Sequence, residues 1–265
     1  MTDAAGETRV RARREGPVLV LTLDGAAIRN ALGPAVYADL TAQVEATHHD
    51  SAIRAIIVTG AGGYFCAGGN IQSLRQSAQG TLAEAEARTD RLNAMIQALV
   101  DSPLPVIAAI EGGAAGAGLA LALACDLIVS SETASCTLAY VKIGLSPDGG
   151  VTHLLRAALP RQMVMEMGLL GRPVPAARLA ELGVISALTP PGAALDTALN
   201  LARDLAAGPR TAQARIKHQI NTAAQTDLAT QQRLEARDMN TARFGPEAAE
   251  GLAAFLEKRI PRFPD

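Results

Sequence analysis

The chain has 265 residues, 49% of them hydrophobic and 19% charged, with a formal net charge of −2. That composition excludes a disordered chain and allows one domain or two around a large core. The near-neutral charge, the 3% of aromatics and the lack of Trp also argue against a general nucleic-acid binder or a base-stacking surface.

Taken in chain order, the N-terminal stretch MTDAAGETRVRARREG holds no apolar segment, so no secretory leader is read there. Residues 18–23 (VLVLTL) and 53–58 (IRAIIV) are short apolar runs between turn signals and predict strands. Between them, Pro34 suits a first helical turn, and Val36, Leu40 and Val44 share one helical face. Strand, helix, strand predicts a right-handed crossover onto a parallel sheet. Thr81 to Val100 carries Leu82, Leu92, Met95, Ile96 and Leu99 at helical spacing and stops near Pro103. PVIAAI at 105–110 predicts a strand buried on both faces, and 125–129 another. After Pro160 the pattern turns helical, with segments at 161–170, 175–182, 193–207, 211–223, 227–243 and 246–260. The expectation is an α/β core over 1–190 and a helical C-terminal region over 191–265.

Cys66, Cys125 and Cys136 form no CxxC pair and have no His at ligand spacing. They read as buried thiols in a reducing compartment, with no metal site. The longest uncharged apolar stretch, between Glu111 and Asp126, falls short of the roughly 20 residues that span a bilayer. A cytoplasmic protein with no membrane partner is expected.

Two glycine-rich loops each follow a strand and precede a helix. One runs from Gly60 to Asn70, the other from Gly112 to Gly118. Free backbone N–H groups there can converge on one oxygen, as phosphate cradle or oxyanion hole. Alternatively, the small residues only let backbones pack closely. Neither loop matches a GxGxxG or GxxxxGK[ST] phosphate motif. Asp148, between Pro147 and Gly149, reads either as a turn residue or as a carboxylate at a pocket mouth. His48, His49, His153 and His218 are scattered and form no triad or metal pattern.

These segments, in this order, resemble the crotonase superfamily, the enoyl-CoA hydratases and isomerases. Asn30-Ala31-Leu32 is similar to the family's NAL motif, and Phe65 to Asn70 to its FxAGxD motif, with Asn70 in place of Asp. Ile110 to Asp126 resembles the NG…GGG…CD stretch, with Glu111 in place of Asn, and Phe255 to Phe263 resembles the FxEKRxPxF ending. The resemblance covers about Val18 to Phe263. It implies a ClpP/crotonase-type spiral of ββα units with a helical C-terminal trimerisation region, and a homotrimer or a hexamer built as a dimer of trimers. It implies an acyl-CoA thioester substrate and no cofactor beyond the coenzyme A that the substrate carries.

By the same resemblance, the N–H groups of Gly69 and Ala117 form the oxyanion hole. Arg29, Ala31, Ala67, Ala120, Tyr140 and Lys258 fall at substrate-binding positions, Lys258 and Arg29 towards the nucleotide. Lys258 also reads as a solvated helix-end charge. The hydratases' two glutamates correspond to Ala120 and Tyr140, so both carboxylates are missing. Neither a methyl group nor a phenol replaces a glutamate pair near neutral pH. Asp148 instead matches the acid of several isomerases. The expectation is therefore double-bond isomerisation of the 3-enoyl-CoA to 2-enoyl-CoA type with Asp148 as the single acid/base. The alternatives are isomerase, hydrolase or dehalogenase chemistry on an aromatic-derived CoA ester, hydratase in name with weak hydration, and an acyl-CoA-binding paralogue without turnover. No Ser and His fall where a serine protease of related fold needs them.

Overall fold

The computed structural model describes residues 6–264; the first five residues of the polar N-terminal stretch and Asp265 lie outside the described residues. The first half alternates strands and helices: β1 (Arg9–Glu15), β2 (Val18–Asp24), α1 (Pro34–Ala46), β3 (Ala55–Gly60), α2 (Ile71–Ser77), α3 (Leu82–Asp101), β4 (Val106–Ile110), β5 (Gly113–Ala115), α4 (Ala117–Leu123), β6 (Leu127–Ser131) and β7 (Ser135–Thr137). A 3₁₀ turn (Ala139–Ile143) leads into α5 (Val151–Ala158), α6 (Arg161–Leu170), β8 (Val174–Pro175), α7 (Ala176–Glu181) and β9 (Ala187–Thr189). The chain ends in α8 (Ala194–Ala206), α9 (Arg210–Ala223), α10 (Leu228–Arg243) and α11 (Pro246–Glu257).

Six strands form one sheet in the order β1-β2-β3-β4-β6-β9, parallel except for the antiparallel β1 at its edge. A smaller sheet, β5-β7-β8, stands beside it. Isolated bridges from Leu32 to Gly69 and from Cys66 to Ala114 continue the spiral between strand units. This is the expected α/β spiral. It differs from the sequence reading at several places, among them α2, which had no predicted range, and the unpredicted short strands β5, β7 and β8. β1 is an unforeseen strand whose arginines face solvent, which blunts a sheet edge. β9 places a strand inside the segment read as helical, and the strand expected at 125–129 begins at Leu127.

Both faces of the large sheet are covered. Along β2 the pleat sends Leu21 and Leu23 into the main core and Val18 and Val20 to the opposite face. That opposite face is closed by α8, whose Ala194, Ala198 and Ala202 let the helix lie close on Ile57, Ile107 and Val129. The expected division at 190/191 thus separates α8 from the sheet on which it packs. α9 and α10 pack on each other and bury no residue completely. No described helix is long and apolar enough to cross a membrane.

Candidate active site

The two glycine-rich loops meet at one point because Gly68 has no side chain. Its φ is +91°, and a Cβ there would stand 2.6 Å from the Ala115 carbonyl oxygen and 3.4 Å from the Ala117 nitrogen. Gly69, the next residue along, and Ala117 line the same cavity. Among the described residues neither N–H donates to a protein acceptor. Ala117 opens α4, so its N–H is one of the free donors of a first helical turn. Two unoccupied backbone donors facing one cavity can hold an oxyanion.

The NAL segment fixes the first loop from below. Asn30 is fully buried with φ +56°, a left-handed conformation that Asn tolerates. Its Oδ1 accepts from the Gly25 N–H at 2.9 Å, and its Nδ2 donates to the carbonyls of Ala61 and Tyr64. Leu32 N–H then donates to Gly68 O at 2.7 Å, and Ala67 N–H to Arg29 O at 2.9 Å. Asn70 caps α2 by accepting from Ser73 N–H at 3.0 Å, a task that Asn performs as well as the Asp of the family motif.

Asp148 reaches the same cavity from the other wall. It precedes Gly149 and Gly150, both with left-handed φ, at the start of α5. A Cβ on Gly149 would lie 3.2 Å from that of Ala120, so the Asp148 turn is pressed onto α4. Tyr140 Oη donates to Asp148 Oδ1 at 2.7 Å, and the Tyr140 ring packs over Gly116, next to Ala117. Burial, and then the Asp148 carboxylate, push the Tyr140 phenol well above its ordinary range, so it remains a donor at any working pH. Oδ2 of Asp148 accepts no hydrogen bond among the described residues.

A cavity of about 350 Å³ joins these parts. It is lined by Ala67, Gly69, Ala117, Tyr140 and Asp148, with apolar walls from Leu74 and Leu92. Ala120 is fully buried behind Gly149 and does not line it. Ala31 lies under the NAL turn, facing a separate shallow groove. Arg29 is exposed, with its guanidinium 5.3 Å from the centre of the Tyr64 ring. Lys258 is exposed at the end of α11 with φ +54° and does not line the cavity. Arg259, beside it, is held by Glu250 at 2.6 and 3.0 Å and by Glu257 at 2.6 Å. Glu111, the spare acid of the second loop, turns away: its Oε1 caps α8 through Ala194 N–H at 3.0 Å. Among the described residues no cluster of His, Cys, Asp or Glu is placed to hold a metal ion.

Several polar lining residues were not named as site residues by the sequence reading: Ser77, Thr89, Lys142 and Ser146, and the two of most consequence, Tyr37 and Arg88. Tyr37 comes from α1, and Arg88 comes from α3, one turn before Leu92 on the apolar stripe. A cation on that stripe was the available signal.

A model of the enoyl-CoA hydratase/isomerase family matches residues 13–265. The chain belongs to that family. The 1,2-epoxyphenylacetyl-CoA isomerase of Escherichia coli K12 is 35% identical over 94% of this chain and 95% of the relative. The 2,3-dehydroadipyl-CoA hydratase of the same organism is 32% identical over 94% and 96%. The solved structure of an enoyl-CoA hydratase from Polaromonas sp. JS666 superposes with a TM-score of 0.95 at 38% identity, covering 97% of this chain and 100% of that one. This member of the enoyl-CoA hydratase/isomerase family therefore has the crotonase fold, and its family acts on acyl-CoA thioesters.

Proposed function

We propose that this protein isomerises enoyl-CoA thioesters, moving a 3,4 double bond to the 2,3 position. One observation carries the reading: among the described residues Asp148 is the only carboxylate lining the cavity that Gly69 and Ala117 also line. In the proposed reaction the thioester oxygen sits between those two donors. Asp148 Oδ2 takes a proton from C2, and the electron pair delocalises onto the thioester oxygen as a dienolate; Asp148 Oδ2 then returns the proton to C4 while the dienolate collapses to the thioester carbonyl and the 2,3 double bond. Each backbone donor is expected to lower the barrier by about 3–4 kcal/mol. Tyr140 holds Oδ1, so that the base has one free oxygen and one orientation. Hydration needs a second carboxylate to activate water, and the family's two glutamate positions carry Ala120 and Tyr140.

A turnover panel of 3-enoyl, 2-enoyl and aromatic-derived CoA esters, run in D₂O, tests the reading. Appearance of a conjugated 2-enoyl thioester with little gain of water supports it; robust hydration of crotonyl-CoA overturns it. Isomerisation of an aromatic-derived CoA ester is a second reading, favoured by the 35% identity to the epoxyphenylacetyl-CoA isomerase. The same panel contains its substrate class.

The reading extends to assembly and to the nucleotide. Phe244, Phe255, Leu256 and Ile260 are more than three-quarters exposed on the last helices and tail. Apolar surface of that kind supports a homotrimer or hexamer, to be checked by sedimentation. Lys258, with no ion pair among the described residues, and Arg29 are proposed to meet the phosphates of coenzyme A. A Lys258→Ala variant that weakens CoA more than dephospho-CoA supports the Lys258 contact. The free, buried thiols of Cys66, Cys125 and Cys136 support a proposed cytoplasmic location.

A further inference from the structure

Arg88 brings a cation to a cavity wall that is otherwise mostly apolar. Its Nη1 donates to the Ser73 carbonyl at 3.0 Å, which ties α3 to α2. Its Nη2 is buried and has no hydrogen-bond partner. A guanidinium nitrogen shut away from water without an acceptor is costly, and buried donors of this kind are rare in folded proteins. The Tyr37 hydroxyl is within hydrogen-bonding reach of the same guanidinium, but a phenol supplies no negative charge while it stays protonated. Burial pushes the Tyr37 phenol above its ordinary range. Among the described residues the charged side chains on the cavity lining are Arg88, Lys142 and Asp148. Lys142 is exposed to solvent, which leaves the buried Nη2 of Arg88 as the cationic group with no anion against it.

The geometry points to a carboxylate on the acyl group of the substrate: we propose that Arg88 selects acyl-CoA thioesters whose chain ends in a second, ionised carboxyl. The inference rests on the reading of this cavity as the acyl site of a thioester. A planar carboxylate accepts from a guanidinium in a paired geometry, which a lysine in that position cannot match. α2, tied to Arg88 through Ser73, buries none of its seven residues completely and so has little packing to lose if it moves to admit a carboxylate. Asp148 stands in the same cavity, so the carboxylate must lie at the Arg88 end, with the thioester at Gly69 and Ala117.

The test is binding, which needs no turnover. Saturated straight-chain acyl-CoAs of four to eight carbons are compared with the dicarboxylic mono-CoA thioesters of equal length. At one length or more the parent is expected to bind the carboxylated ligand at least about tenfold more tightly, the scale of a hydrogen bond to a charged group. Arg88→Gln, confirmed folded by its melting curve, should bring that ratio close to one. Arg88→Lys should keep part of it, and serves as the second variant if the glutamine form does not fold. A parent that binds the methyl-ended series as well at every length overturns the proposal. So does a preference that survives Arg88→Gln. Failure of the parent to bind either series overturns the thioester reading itself, and this inference with it.

Discussion

Tyr140 donates to one oxygen of Asp148 and leaves the other without a partner, an arrangement suited to taking and returning a single proton. Asp148→Asn keeps the shape of the turn but cannot cycle a proton. Isomerase turnover of that variant is expected to fall by about 10²–10⁴-fold, with folding and CoA binding retained. An assay within tenfold of the parent removes Asp148 from the reaction. Across the cavity wall, Ala120 is fully buried under Gly149. Restoring the hydratase pair as Ala120→Glu with Tyr140→Glu forces a long side chain into filled space. Overpacking alone costs about 1–3 kcal/mol, and a buried unpaired carboxylate adds to it. The double variant should melt several degrees lower and still fail to hydrate crotonyl-CoA; a stable, active hydratase contradicts this packing argument.

At the level of elements, the site hangs on contacts made from behind. Glu111, which stands where the family motif has Asn, caps α8 and does not line the cavity. Glu111→Ala should therefore cost about 0.5–2 kcal/mol of stability through the lost cap and leave kcat/KM unchanged. A tail clamp behaves differently with pH. Hydrogen bonds from Arg259, and then from the Arg262 N–H, hold the Glu250 carboxyl down to about 2. A carboxyl depressed on folding contributes stability above its unfolded value near 4.5, and that contribution is lost as the pH falls towards 2. The melting difference between the parent and Glu250→Gln should be full at pH 6 and shrink across that window. A difference independent of pH rules the clamp out.

Over the whole molecule, period and punctuation made much of the fold legible. The apolar run at 18–23, the helical stripe from Leu92 to Leu99 and the Gly and Pro stops of the last hundred residues each found their element. β1 escaped because its pattern RVRARRE belongs to an edge strand, stabilised by pairing with β2 and not by burial. In the site, Asp148, Gly69, Ala117, Ala67 and Tyr140 were named in advance and share one cavity. Arg88 and Tyr37 were not, because a helical period reports which face is buried and says nothing about what that face surrounds. The cysteines give a check on the core as a unit. Burial pushes the thiols of Cys66 and Cys136 up to about 12 and that of Cys125 upward too. None should react with a thiol reagent at neutral pH until the chain unfolds, and all three should then react together. Prompt labelling of the native protein would mean a looser core.

Both groups proposed to hold the oxyanion are main-chain amides, placed by the absence of a side chain at Gly68. No codon change deletes an amide N–H except one to proline, which also distorts the chain. A systematic alanine scan of this enzyme would therefore flag Asp148 and pass over the other half of its machinery. Ala117 is already alanine, and truncation cannot touch it. Only replacement of the peptide bond itself, an ester in place of the amide at Gly69 or Ala117, would expose that half.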